Sequence, residues 1–361
     1  MNREAELLFE LLRAALCNRA VDDSLFADLS SAQWRAIHSL AVSNAVVCLT
    51  FGVVATLPAV SRPERTLFMQ WLALSEQKKE HNRLLGQVLD HVNDLYHQAG
   101  IEFVLLKGLG VAQWYPDPLL RDGGDIDLMI TKGYREANKV LLDNGATLDE
   151  ENIKHSSFRF RGVSVENHHN LAIAASQSDV LGSLLTSEQY SVFEDSSVKV
   201  PSPTFNSIYL ISHMAMHFFV NGIGLRHLCD IYLLLAHKHE EIDGELMISG
   251  LSKVGCVGFY RRILGILVQY FDLPAQFSPL APLNDRTTKL LLDDILRGGN
   301  FGHSTMAKRT KSNMFNKYLT MRAMVCRSWR FRRMGSAIFL HQISDLLAFN
   351  FQRLFRRSAK G

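Results

Sequence analysis

The sequence predicts an α+β fold, a small mixed sheet set between helical regions, and three observations predict it. Apolar residues recur every three or four positions through the first hundred residues and again after Pro203. Between these two regions lie short apolar runs bounded by glycine and polar residues, several of them alternating in the strand period. The chain has 361 residues, 47% hydrophobic and 21% charged, enough to bury one or two substantial cores, which excludes disordered and fibrous classes.

In chain order, residues 2–16 form an amphipathic helix, Ser30 or Ser31 can cap a segment running to about residue 54, and Pro63 can start a long helix reaching residue 97. In that long helix Leu67, Trp71, Leu85, Val88, Leu89 and Val92 keep the apolar spacing, while 76–83 is charged and reads as solvated. Residues 41–60 carry no charge, but Gly52 and Pro58 would break a membrane span, so they read as buried helices. Residues 1–99 are therefore a helical scaffold.

From Gly100 the period changes. Residues 103–106 are a strand, followed by a glycine-containing turn and a short helix, and 125–130 are a second strand. A helix over 132–144 closes at Gly145; strands over 158–160, 163–168, 190–193 and 198–200 complete a unit spanning 100–202. Helices over 205–219, 225–236, 241–253 and 257–271 make a third region, 203–306, and basic helices occupy 307–361. No internal repeat or low-complexity tract interrupts this order.

Charge is divided unevenly. Lys and Arg total 39 against 36 acids, but thirteen of the basic residues and only one acid, Asp345, lie between Lys308 and Lys360, so the tail carries +12 and the body −9. Five cysteines, widely spaced and without a CxxC pair, indicate neither a disulfide framework nor a cysteine zinc site, and suit a reducing cytoplasm. The first residues, MNREAELLFELL, show no cleavable signal pattern.

The chemistry concentrates in two strands. On the strand at 125–130, Asp125 and Asp127 project from one face while Ile126, Leu128 and Ile130 take the other. Two converging carboxylates repel unless a cation lies between them, and a divalent ion is the usual solution. The preceding Gly123-Gly124 lets backbone approach a ligand. On the strand at 163–168, Ser164, Glu166 and His168 share a face, so if this strand lies beside the first, Glu166 supplies a third carboxylate.

The run LLKG at Leu105–Gly108, then YPDP, then R-x-x-GDIDL from Arg121, then VENHHNL from Val165 resembles the nucleotidyltransferase superfamily built on the polymerase-β-like fold. More narrowly it is similar to uncharacterised bacterial nucleotidyltransferases often associated with polysaccharide-biosynthesis genes. The resemblance implies that Lys107 and Gly108 occupy the turn that approaches nucleotide phosphates, that Asp125 and Asp127 hold Mg²⁺, and that Glu166 completes the metal site. It implies an NTP such as ATP as donor of an NMP group, with pyrophosphate released. The acceptor could be a sugar phosphate, a small molecule, a protein side chain or an RNA end. Leu109 stands where the superfamily turn has Gly or Ser, and His169 stands where its later motif has an aromatic residue.

Neighbouring residues carry alternatives. Arg121 is placed either to neutralise phosphate charge or to pair with Asp117 or Asp122. His213 and His217 are spaced i, i+4, but Met-Ala-Met lies between them without the glutamate of a zinc protease, so they read as a helix face beside the site. Arg226 and Asp230, also i, i+4, read as an ion pair. Gly108-Leu-Gly-Val-Ala-Gln113 has Gln113 at the third position of a dinucleotide fingerprint, which argues against a Rossmann unit. In the tail, Arg327, Arg330, Arg332, Arg333, Arg353, Arg356 and Arg357 interleave with Trp329, Phe331, Phe349, Phe351 and Phe355. Docking on the acidic body would bury Trp329, Phe331 and Phe349; undocked, the tail would seek an anionic membrane or nucleic acid, placing a cytoplasmic protein at the inner membrane face. A catalytically inactive protein of the same fold, tethered by that tail, is the alternative to an enzyme.

Overall fold

Asn2 opens the first helix by accepting the Ala5 amide on its side chain, and α1 runs Arg3–Leu16. The computed structural model describes residues 2–152, 154–171, 180–186, 190–193, 196–300, 322, 325–332 and 334. Ser30 and Gln33 form a reciprocal capping box at the start of α2, Ser31–Ser43. The segment expected to continue to residue 54 instead breaks at Asn44–Val46, where Ala45 is left-handed (φ 55°), and resumes as α3, Val47–Val54. The cause is tertiary. Asn44 is fully buried; its carbonyl accepts the Arg226 amide and its Oδ1 the Leu225 amide, which ties the break to a helix 180 residues on. Residues 44–51 of the charge-free stretch are buried, whereas Val42 and Val60 near its ends are exposed, and among the described residues no helix is long and apolar enough to cross a membrane.

Helix α4, Arg65–Gln98, begins just after Pro63 and spans both hydrophobic cores: Leu67 and Trp71 join the first, Leu85, Val88, Leu89, Val92 and Tyr96 the second. Its charged middle is not wholly solvated. Asn82 is buried there, and its Nδ2 donates to the carbonyls of Leu119 and Arg121 at 2.8 and 2.7 Å, holding the loop that leads to the strand of Asp125 and Asp127.

The sheet comprises β1 Glu102–Leu106, β2 Asp125–Lys132, β3 Thr147–Glu151, β4 His155–Phe160, β5 Val163–His168, β6 Tyr190–Val192 and β7 Lys199–Pro201, in the order β3-β4-β5-β2-β1-β7-β6. It is mixed: β2 runs antiparallel to β1 and parallel to β5, and β1 runs parallel to β7. Strand β3 has no counterpart in the expected pattern because all five of its residues are exposed at the sheet edge and carry no apolar alternation. Short α5 (Gly108–Ala112) and α6 (Tyr134–Asp143) connect the early strands, and α7 (Val180–Thr186) precedes β6.

Strand alternation sorts the two sheet faces into different cores. Phe103, Leu105, Ile126, Leu128, Phe158, Val163 and Val165 face the second core with α6 and the C-terminal half of α4. Val104, Leu106 and Met129 face the first, which is continuous with α1–α3 and with the later helices α8 (Pro203–Val220), α9 (Leu225–Lys238), α10 (Gly244–Lys253), α11 (Val257–Tyr270) and α12 (Arg286–Gly298). The N-terminal helices and the helices after residue 203 thus share one core. Part of the basic tail packs there as well. Phe331 is fully buried with its ring edge-on to Phe218 at 4.9 Å, and Arg327 pairs with Asp294 of α12 at 3.1 Å. Trp329, expected to be covered by docking, is 67% exposed and stacks under Arg332 instead, because the single helical turn at 325–330 can turn only one side to the body. Phe349, Phe351, Phe355, Arg333, Arg353, Arg356 and Arg357 lie outside the described residues.

Candidate active site

The site forms where β1, β2, β5 and β4 lie side by side under α8 and α9. Register does the assembling: Asp125 lies opposite Ser164, Asp127 opposite Glu166, and Met129 opposite His168, while His155 of β4 lies opposite His168. In-register neighbours present side chains on one face, so Asp125, Asp127 and Glu166 converge with carboxylate oxygens within 4.8 Å of one another. The residues expected to form a metal cluster are therefore brought together.

Lys107 stands at the end of β1 in a left-handed conformation (φ 49°), a strained state for a residue with a Cβ, and its ammonium reaches across to Asp127 Oδ1 at 2.9 Å. Gly108 follows, also at positive φ (37°), and a Cβ on it would stand 3.3 Å from the Asp125 carbonyl. That close approach to the neighbouring strand is a backbone reason for glycine here.

The electrostatics of the two aspartates diverge. Asp125 is pushed above the ordinary carboxylate range, first by the Asp127 charge and then by burial. Burial would raise Asp127 too, but Lys107 and a hydrogen bond from His168 Nε2 (3.0 Å) hold it well below that range. His168 is in turn raised despite its burial, by its hydrogen bonds to Asp127 and Glu166. Asp127 Oδ1 is thus shared by the Lys107 ammonium and the His168 ring, while its Oδ2 is buried with no hydrogen-bond partner among the described residues. An orphaned carboxylate oxygen between two further carboxylates is an all-oxygen donor set suited to a hard divalent cation such as Mg²⁺.

Opposite the acids stands a wall of two histidines, an arginine and an aspartate. From α8, His213 Nε2 lies 3.1 Å from the Lys107 ammonium and His217 Nε2 lies 3.0 Å from His213 Nε2. Lysine can only donate, so the Nε2 of His213 accepts from it. Burial, then the Lys107 charge, drives both histidines down, His213 far below its ordinary value and His217 to about 4. From α9 come Arg226, whose guanidinium donates to the Asp122 carbonyl at 2.5 Å, and Asp230. Together these walls enclose a cavity of about 300 Å³ that opens to solvent and reaches apolar side chains including Leu171, Leu181, Leu210 and Met214.

Arg121 lines this cavity, but its partner is neither Asp117 nor Asp122. Its Nε and Nη2 donate to the two oxygens of Asp230 at 2.9 and 2.8 Å, and the Tyr115 hydroxyl donates to the same carboxylate at 2.8 Å. Asp230, expected in an ion pair within its helix or to another element, takes the second course and is committed to this buried clamp across 109 residues of sequence. His155 was not anticipated as a site residue. The two-residue turn Arg161-Gly162, both left-handed (φ 49° and 88°), fixes the β4–β5 hairpin register and hence places His155 opposite His168, a relation that hairpin rules could have supplied.

Residues 30–272 match the sequence profile of a family described as "Uncharacterised nucleotidyltransferase". No curated protein matches the chain. The crystal structure of an antigenic nucleotidyltransferase-like protein from Paracoccidioides brasiliensis aligns with 15% identity over 55% of this chain and 94% of that one, at a TM-score of 0.28.

Proposed function

Because the chain belongs to this family of uncharacterised nucleotidyltransferases, we propose that it moves an NMP group from an NTP to an acceptor nucleophile and releases pyrophosphate. The observation that carries this reading is the triad Asp125, Asp127 and Glu166, with the unpartnered Asp127 Oδ2, in a cavity that Lys107, Arg121 and Arg226 also line. These three residues would hold Mg²⁺, which when bound would neutralise triphosphate charge and stabilise the leaving pyrophosphate.

The chain's own groups divide the remaining work. Lys107 balances Asp127 in the free protein and lies within side-chain reach of phosphates in the cavity, so it serves as counter-charge to the acid or to the nucleotide. Gly108 offers backbone at that same turn without a side chain to exclude a ligand. Arg121, fixed by Asp230, contributes positive potential at the cavity wall and keeps its guanidinium from moving. Glu166 is more exposed than Asp127, 22% against 1%, and is placed to take the proton as the acceptor oxygen attacks the α-phosphorus and the bond to the β-phosphate breaks.

The test uses each α-labelled NTP with Mg²⁺ and a lysate, followed by size fractionation. Label should enter one size class, identifying the acceptor as small molecule, protein or RNA, and the Asp125→Asn, Asp127→Asn double variant should transfer none. Transfer at the wild-type rate by the double variant would place the chemistry elsewhere. Calorimetric titration with ATP, GTP, CTP and UTP, with and without Mg²⁺, identifies the donor base and separates an enzyme from an inert member of the fold.

A further inference from the structure

We propose that His155, Glu166 and His168 form a second metal site, for a divalent transition cation such as Zn²⁺ or Mn²⁺, sharing Glu166 with the carboxylate triad. The three donors come from adjacent strands at fixed register positions and lie on the face that carries Asp125 and Asp127. His168 Nε2 is 3.4 Å from Glu166 Oε2, and His155 Nε2 is 3.8 Å from the same oxygen. Ligands about 2.1 Å from a common ion lie roughly 3.0–3.4 Å apart, so the first distance already fits and the second needs a shift of a few tenths of an ångström. Asp127 Oδ1, 3.0 Å from His168 Nε2, is within range as a fourth donor.

The hydrogen bonds around His155 show which nitrogen carries its lone pair. Asn152 Oδ1 accepts the backbone amides of Lys154 (2.9 Å) and His155 (3.1 Å), which fixes that side-chain amide with its Nδ2 toward His155. Nδ2 lies 3.3 Å from His155 Nε2 and can only donate, so Nε2 is the acceptor, and a bound ion would take over the lone pair that Asn152 engages in the free protein. Imidazole donors favour Zn²⁺, Mn²⁺ and their neighbours over Mg²⁺, whereas Asp125, Asp127 and Glu166 offer only oxygen. The two overlapping triads therefore differ in the ion they select, and the unpartnered Asp127 Oδ2 stays available to the oxygen triad.

This site rests on the proposed function only in sharing Glu166, and Asp127 as a fourth donor, with the carboxylate triad, and Co²⁺ gives a readout independent of activity. Titrated into the full chain in excess Mg²⁺, Co²⁺ should produce a visible ligand-field band saturating at one equivalent. His155→Gln should weaken that binding by about tenfold or more, and Asp125→Asn should leave it within about twofold. Unchanged Co²⁺ affinity in His155→Gln, loss of the band in Asp125→Asn, or no Co²⁺ bound by the wild type would each overturn the proposal. X-ray absorption at the Zn edge on the wild-type protein needs no variant: two imidazole donors support the site, and one or none refutes it. Calorimetry of Mg²⁺ and NTP on the same wild-type protein separates the two readings. Co²⁺ bound without nucleotide binding would leave this site standing and remove the transferase assignment, and the converse result would do the reverse.

Discussion

Asp125 and Asp127 are two residues apart on one strand face yet carry different energetic burdens. Asp125 is raised by its neighbour, so Asp125→Asn relieves repulsion and should change stability by less than about 1 kcal/mol in metal-free protein. Asp127 is the counter-charge to the Lys107 ammonium, and Asp127→Asn leaves that cation without its buried partner. Roughly 3 kcal/mol should be lost, read as a shift in urea midpoint at constant slope. His217 supplies a pH dependence of definite sign. Its folded value of about 4 lies below the ordinary 6.5, so between those values the unfolded chain binds more protons. Stability from this group is complete above pH 6.5 and is lost as pH falls toward 4, by about 2–3 kcal/mol. Urea unfolding at pH 7.0 and 4.5 should show a smaller difference for His217→Gln than for the wild type; equal differences would mean that His217 titrates normally in the fold.

Helix α9 is positioned by groups far from it in sequence. Asn44 receives its first amides, and the Arg121 guanidinium with the Tyr115 hydroxyl fixes Asp230 one turn in. Both ionic partners are nearly inaccessible, with side chains 7% and 6% exposed. Breaking such a pair from one side strands a charge, so Asp230→Ala should destabilise by roughly 3–5 kcal/mol. Replacing both partners with apolar residues, Arg121→Met with Asp230→Leu, should recover at least half of that loss in equilibrium unfolding. A double variant as unstable as Asp230→Ala would show that the pair contributes more than mutual charge compensation. The same clamp explains why the i, i+4 spacing of Arg226 and Asp230 was a poor guide: a local pair on an exposed helix gains only tenths of a kcal/mol, and tertiary partners readily take its members.

Across the whole molecule the basic tail belongs at least partly to the body. Phe331 fills a position against Phe218 in the first core, and Met334 beside it is 2% exposed. Phe331→Ala should cost about 3–5 kcal/mol, whereas Trp329→Ala, at an exposed ring, should stay within about 0.5 kcal/mol. Thermal unfolding of the two variants gives the comparison directly, and a chain ending at Met306 should be less stable than Phe331→Ala because it also removes the Arg327–Asp294 pair. A truncated chain of full stability would mean that the segment rests on the core without supporting it.

What the sequence determined by itself is the local content of this protein. Alternation around Asp125-Ile126-Asp127 and Val163–His168 specified which side chains share a face, and Gly108 marked the turn after the first strand, since both properties depend on backbone geometry within a few residues. Only the tertiary structure decided that β5 lies parallel to β2 with Glu166 opposite Asp127, that α2 and α3 part at Asn44, and that Arg121 answers to Asp230. It also set His213 against the Lys107 ammonium and left every residue of the edge strand β3 exposed. These outcomes turn on partners tens to hundreds of residues apart, whose pairing is chosen by burial and desolvation over the whole fold and leaves no period or spacing in the chain.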